Sequence, residues 1–309
     1  MGPTSTVGWT PSDVPTAIEL RTAEDPRLAG TLHLPDGPPL ATVVMVPGSG
    51  PTHRDNDTYF PPIRDGLLAA GIAVASFDKR GVGRSEGDWH DTDPVRQAGD
   101  VAAQLACVRD QAATASTPVG LFGHSQGGWV VLDVAAADAT VAFVVTNSGP
   151  GVTWARQGRY ATGVHLAASG ERPESIEAAL RAYGRVGELV RDGAAVEEVQ
   201  RAAGDAGLTA GAPADAAELD LARAWLDHDP RAALERIRCP VLALFGGADR
   251  IVPVDDSVAV FEAARQGRPG APRVEVFEGA DHRIRIGEPP TLHPDHLPTL
   301  TRWIRSVVA

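Results

Sequence analysis

A serine flanked by glycines, Gly123-His124-Ser125-Gln126-Gly127, stands where an apolar run (119–122) gives way to a helix-compatible stretch (126–137). A serine hydroxyl is a poor nucleophile at neutral pH. It needs a base to take its proton and a third group to orient that base. Two downstream residues meet those needs by type and place. Asp249 follows the apolar run 240–245, and His282 follows the alternating run 273–277. All three thus leave the ends of strand-like runs. In a parallel sheet such loops share one edge, so the three can converge. The chemistry within reach is acyl transfer, with Ser125 as nucleophile, His282 as general base and Asp249 as its orienting acid.

That chemistry also needs donors for the oxyanion. The backbone N–H of Gln126, directly after the serine, is one candidate. The other lies in Pro47-Gly48-Ser49-Gly50, at the end of the β-branched run 41–46. Ser49 N–H is the first choice there and Gly50 N–H the second, because glycines let a backbone approach a substrate closely.

Competing residues are weaker by position. Asp255 and Asp256 fit a helix start, and Asp281 adjoins His282. Of the nine histidines, His33 lies in a strand and His53 and His90 in loops. His165 and His228 fall in a helical region, and His293 and His296 open the last helix. His124, inside the turn, is expected to point away from the pocket. The loop Arg54-Asp55-Asn56-Asp57 reads as solvated or salt-bridged. With His53 it lacks the spacing of a metal site, so no metal is expected. Gly81-x-Gly83 is no dinucleotide fingerprint, because the third glycine falls at 87.

The elements that would position these residues alternate. Strands are expected at 16–22 and 28–34 as a hairpin, then at 41–46, 72–77, 119–122, 141–146, 240–245 and 273–277. Helices are expected at 62–70, 94–113, 126–137, 255–266 and 294–308. Residues 1–16 read as a loose arm. Alternation of this kind builds a mostly parallel sheet with helices on both faces. From about 151 to 236 no strand-like run occurs. Helical segments at 174–191, 195–203 and 219–227, with a break at 204–213, read as an inserted cap. The chain therefore divides into core (1–149), helical cap (150–236) and core (237–309). Trp154, Tyr160, His165, Tyr183 and Trp225 are candidate substrate-pocket walls, although each also fits ordinary helix packing.

The net charge of −12 argues against nucleic-acid or anionic-membrane partners. Lys79 is the sole lysine against 27 arginines, and with the many Ala, Gly and Pro this points to a GC-rich bacterial genome. Cys107 and Cys239 read as free thiols. No leader-like or membrane-spanning run is evident, so a cytoplasmic location is expected.

Segments 123–128, 78–85, 240–249 and 279–282 together resemble the α/β-hydrolase superfamily, over residues 18–149 and 237–309. Pro47-Gly48-Ser49-Gly50-Pro51 followed by Arg54-Asp55 is similar to a group of bacterial capped esterases that includes dienelactone-hydrolase-like and peptidase-like members. Two departures stand out. Pro47 replaces a frequent histidine, and Asp281 stands where asparagine is common. The resemblance implies an α/β-hydrolase fold, with Ser125 in the nucleophile elbow and the chain order serine, acid, histidine. It implies a cofactor-free serine hydrolase acting on a small or medium carboxylic ester. Thioester, lactone or peptide cleavage and acyl transfer stay open, as does a hydrolase-derived binding protein with little turnover. The oligomeric state is open, a homodimer being one option.

Overall fold

The computed structural model describes residues 17–208, 212–264 and 272–309. The expected arm at 1–16, part of the break at 204–213 and the end of the helix expected at 255–266 lie outside them. Two short strands, β1 (Ala17–Arg21) and β2 (Ala29–His33), form the expected antiparallel hairpin. Next come β3 (Ala41–Val46), α1 (Phe60–Ala69), β4 (Ile72–Phe77), α2 (Pro94–Arg109), β5 (Val119–His124), α3 (Gln126–Ala137) and β6 (Val144–Asn147). Five helices follow without a strand among the described residues: α4 (Trp154–Ala168), α5 (Pro173–Arg191), α6 (Val196–Asp205), α7 (Ala216–Leu226) and α8 (Arg231–Arg236). The chain closes with β7 (Val241–Gly246), α9 (Val254–Ala264), β8 (Arg273–Phe277), a small ribbon of β9 (Arg285–Ile286) and β10 (Thr291–Leu292), and α10 (His296–Val308).

The eight-stranded sheet has the order β1-β2-β4-β3-β5-β6-β7-β8. Only the β1–β2 and β2–β4 pairs are antiparallel. Strands β3 to β7 are buried along their whole length, which explains their unbroken apolar runs. Their side chains alternate between two cores. In β3, Val44 and Val46 join the face covered by α2, α3 and α9, while Ala41, Val43 and Met45 join the face covered by α1 and α10. On α10 the buried Leu300, Trp303 and Ile304 follow helical spacing, which seats that helix on the second face.

Register decides where the loops emerge. Val46 pairs with Gly123 across β3–β5, Gly123 with Thr146 across β5–β6, and Gly246 with Phe277 across β7–β8. The loops after β3, β5, β7 and β8 therefore leave one edge of the sheet, carrying residues 47–51, Ser125, Asp249 and His282.

The helical insertion carries a small apolar core of Val190, Val199, Leu219 and Leu226. It meets the main body through three indoles. Trp129 of α3 stacks on Trp225 of α7 at 5.9 Å, and Trp154 of α4 lies 5.9 Å from Trp225 and 6.0 Å from Trp129. The Trp225 indole N–H also donates to the Thr92 carbonyl at 2.9 Å. No helix among the described residues is long and apolar enough to cross a membrane. Cys107 and Cys239 are free thiols, each partly buried.

Candidate active site

Ser125 occupies a backbone conformation that few side chains adopt, φ 52° and ψ −122°, between β5 and α3. The turn is this tight because strand and helix nearly touch. A Cβ on Gly123 would strike the Gly127 carbonyl, and one on Gly127 would strike the carbonyls of Val46 and Pro47, the latter at 2.7 Å. Backbone on both sides leaves nothing to yield. Gly127→Ala should therefore destabilise the fold by roughly 3 kcal/mol in urea unfolding. Gly99→Ala, in α2 with open space around it, should instead stabilise by about 1 kcal/mol. Equal stabilities for the two variants would contradict this reading of the turn.

Asp249 and His282 meet. His282 Nδ1 lies 2.7 Å from Asp249 Oδ2. The Asp249 side chain is fully buried, and its Oδ1 accepts the N–H groups of Ile251 at 2.7 Å and Val252 at 2.9 Å. An ionised carboxylate only accepts, so Nδ1 carries the imidazole proton and Nε2 is left with its lone pair. The Tyr160 hydroxyl, from α4, donates to the Asp249 carbonyl at 2.9 Å and ties the insertion to this loop.

His124 does not face away as expected. Strand alternation places it on the side of Phe122, two residues earlier, which belongs to the α1 and α10 face. There its ring meets His282 edge-on at 5.1 Å and Tyr59 at 4.7 Å. Burial holds His124 neutral, helped by the nearby His282, Arg283 and Lys79. Behind it runs a buried chain: Asn147 Nδ2 donates to the Tyr59 hydroxyl at 2.9 Å, and His296 Nε2 lies 2.7 Å from Asn147 Oδ1. Burial lowers His296 to about 4, so it is neutral and donates here. This chain joins the start of α1, the end of β6 and the start of α10, and it fixes the floor under the two imidazoles.

The loop after β3 lies against the serine. A Cβ on Gly48 would sit 3.3 Å from Ser125 Cβ and 3.2 Å from His124 Nδ1. Among the described residues, the N–H groups of Ser49, Gly50 and Gln126 have no hydrogen-bond partner in the protein. Free donors beside a buried hydroxyl are what a developing oxyanion requires. The Ser125 hydroxyl likewise has no partner among the described residues. In unliganded sites the bond from nucleophile to base is frequently long and tightens with substrate.

The loop at 53–57 is salt-bridged. Arg54 forks onto Asp78, with Nε to Oδ1 at 3.0 Å and Nη2 to Oδ2 at 2.8 Å. Burial works to raise the Asp78 pKa, but hydrogen bonds from the Arg54 side chain, Arg54 N–H and Arg84 N–H outweigh it and leave it low. Asp55 pairs with Arg64 and Asp57 with Arg283. Asp281 turns from its neighbour His282: its carboxylate takes Arg283 N–H, Arg285 N–H and the Arg285 guanidinium.

The candidate wall residues divide by place. Trp225 is 1% exposed and Trp154 packs on it, both in the joint between insertion and body. Tyr160 lines a cleft of about 320 Å³ with Arg156 and Arg159, and His165 lines a neighbouring one of about 330 Å³ with Arg250 and Ile251. Tyr183 presses its hydroxyl on Gly158. One residue of the site escaped the sequence reading. Lys79, on the loop after β4, donates through Nζ to the Gly48 carbonyl, to the Gly50 carbonyl at 3.2 Å and to Gln126 Oε1 at 3.3 Å. Burial pushes its pKa down to about 7. Its rarity in an arginine-dominated chain was the available signal.

Comparisons with known proteins agree with this architecture. An uncharacterized 31.7 kDa protein from the traX-finO intergenic region of Escherichia coli is 24% identical over 237 residues, 73% of this chain and 77% of that protein. The esterase Pf2001 of Pyrococcus furiosus superposes with a TM-score of 0.61 at 17% identity, covering 99% of this chain and 95% of that one. A dienelactone hydrolase from Anabaena variabilis gives 0.52 at 17% identity, covering 94% of each. At such identities the structural likeness speaks for the fold alone. The family model described as "Alpha/beta hydrolase family" matches residues 43–296, most of the length, and with the sheet order above it establishes that this chain belongs to the alpha/beta hydrolase family.

Proposed function

We propose that this hydrolase is a serine esterase that cleaves a small or medium carboxylic ester through an acyl-enzyme on Ser125. The observation that carries the reading is the His282–Asp249 contact at 2.7 Å, with a fully buried carboxylate already fastened by two backbone N–H groups. In this mechanism His282 Nε2 takes the Ser125 proton as Oγ bonds to the acyl carbon. The carbonyl oxygen gains negative charge and is met by the N–H groups of Gln126 and of Ser49, with Gly50 the alternative to Ser49. As the carbonyl re-forms, the bond to the alkoxy group breaks and His282 returns the proton to the leaving alcohol. Water then attacks the acyl-enzyme with its proton going to His282, and Ser125 leaves reprotonated beside a free carboxylic acid. The helical insertion roofs the site and sets selectivity, and the Tyr160 hydroxyl, bound to the Asp249 carbonyl at 2.9 Å, is where it reaches the acid's loop.

Intact mass after treatment with a fluorophosphonate tests this. The expected result is one adduct, mapped to Ser125, with fluoride displaced and the serine proton taken by His282. The adduct should be absent in Ser125→Ala and much slower in His282→Ala. Should folded wild type stay unlabelled, Trp225→Ala, which loosens the insertion, is treated in the same way. An adduct elsewhere, or continued silence with the joint loosened, overturns the proposal.

A further inference from the structure

We propose that Lys79 is a positioning residue for the oxyanion-binding loop, holding the Gly48 carbonyl so that the Ser49 N–H stays aimed at the reacting carbonyl. The inference rests on the acyl-enzyme reading above and deepens it. The Gly48 carbonyl and the Ser49 N–H belong to one planar trans peptide, so they point in opposite directions. Fixing the oxygen fixes the N–H. Lys79 Nζ does this directly, and its bond to the Gly50 carbonyl at 3.2 Å fixes a second point two residues on. Sheet register brings Lys79 there, because Met45 of β3 pairs with Ser76 of β4 and the two strands end side by side.

The third bond reaches the other donor. Gln126 supplies the N–H directly after the serine, and its side-chain Oε1 accepts from Lys79 at 3.3 Å. Gln97 Nε2 approaches the same oxygen at 3.4 Å and donates to the Thr92 carbonyl at 2.8 Å. One ammonium thus joins the loop after β3 to the start of α3, the two places that carry the free donors. Only the protonated form has three N–H groups to match the three oxygens, so this geometry fits the ammonium, while burial draws the side chain toward its neutral form. None of those oxygens is a carboxylate, and among the described residues Lys79 has no salt bridge. An unpaired buried cation is costly, and an apolar side chain would fill the same space more cheaply. The cost is offset if the cation also polarises the Gly48–Ser49 peptide, strengthening the N–H at its far end.

The chain has one lysine, which gives a direct probe. Wild-type protein grown with 15N-lysine shows a single Lys79 side-chain resonance, followed before and after fluorophosphonate addition. The expected result is a clear shift of that resonance once the phosphoryl oxygen occupies the oxyanion site. In parallel, Lys79→Met should lower kcat and kcat/KM for p-nitrophenyl butyrate together, by roughly 10²-fold, with KM little changed. Lys79→Arg, which keeps a cation and donors, should recover part of the loss. A purely structural lysine would lower the melting temperature without this pattern. An unmoved resonance in labelled wild type, or a Lys79→Met enzyme with wild-type kcat, overturns the role of Lys79. If Lys79→Met fails to fold, the resonance in wild type still decides. Failure of Ser125 to take the label would overturn the acyl-enzyme reading itself, and with it the role of Lys79.

Discussion

Ser125→Ala should lower kcat for an activated ester by about 10⁶-fold, and His282→Ala by a similar factor. The double variant should be no worse than either single one. In the proposed mechanism the two groups act as one unit, since without the base the hydroxyl keeps its proton and without the hydroxyl the base has nothing to activate. Folding should be intact in Ser125→Ala, because the hydroxyl has no hydrogen-bond partner to lose among the described residues and the strained turn is held by Gly123 and Gly127. Both variants are measured as purified protein, with circular dichroism to establish the fold. Turnover near that of wild type in either would remove Ser125 and His282 from the chemistry.

Asp249→Asn should cost about 10⁴-fold in kcat with little change in KM. The substitution preserves shape. An asparagine oxygen can still accept from the Ile251 and Val252 N–H groups, as Asp249 Oδ1 does at 2.7 and 2.9 Å. What then faces His282 Nδ1 is an amide NH₂, a donor where an acceptor was. The imidazole must present a lone pair to it, so the ring proton moves to Nε2, the atom that has to receive the Ser125 proton. The loss comes from tautomer choice rather than collapse. Asp281→Asn is the matched control. Its carboxylate serves Arg283 N–H, Arg285 N–H and the Arg285 guanidinium. It should leave kcat near wild type while loosening the loop around Arg285. If Asp281→Asn, and not Asp249→Asn, abolished activity, the acid would have been misassigned.

Much of this architecture was legible because buried parallel strands write themselves as unbroken β-branched runs. Strand β3 and helix α3 run where they were expected, and β7 lies one residue later than read. Strand β6 begins at Val144 rather than 141, because Val141 and Phe143 are buried on the way into the ladder and mimic its composition. Helix α4 escaped notice because Gly158 and Gly163 interrupt its pattern. Those glycines let α5 approach, Tyr183 lying on the first and Leu180 near the second. The ribbon of β9 and β10 has two residues per strand, too few for a period to register. Within the candidate site, Ser125, Asp249 and His282 could be singled out one by one from their loops, and the last two do meet. The inward turn of His124 and the three bonds of Lys79 could not, since each depends on which strand lies beside which.

The three indoles at the joint make the molecule its own reporter. Trp129 belongs to the body, while Trp154 and Trp225 belong to the insertion, and all three lie within 5.9 to 6.0 Å of one another. Transition dipoles at that separation couple, so their combined near-ultraviolet circular dichroism differs from the sum of three isolated chromophores. The coupling exists only while the insertion is seated. If the insertion roofs the site as proposed, its lifting from the body would therefore be visible optically in the unlabelled protein.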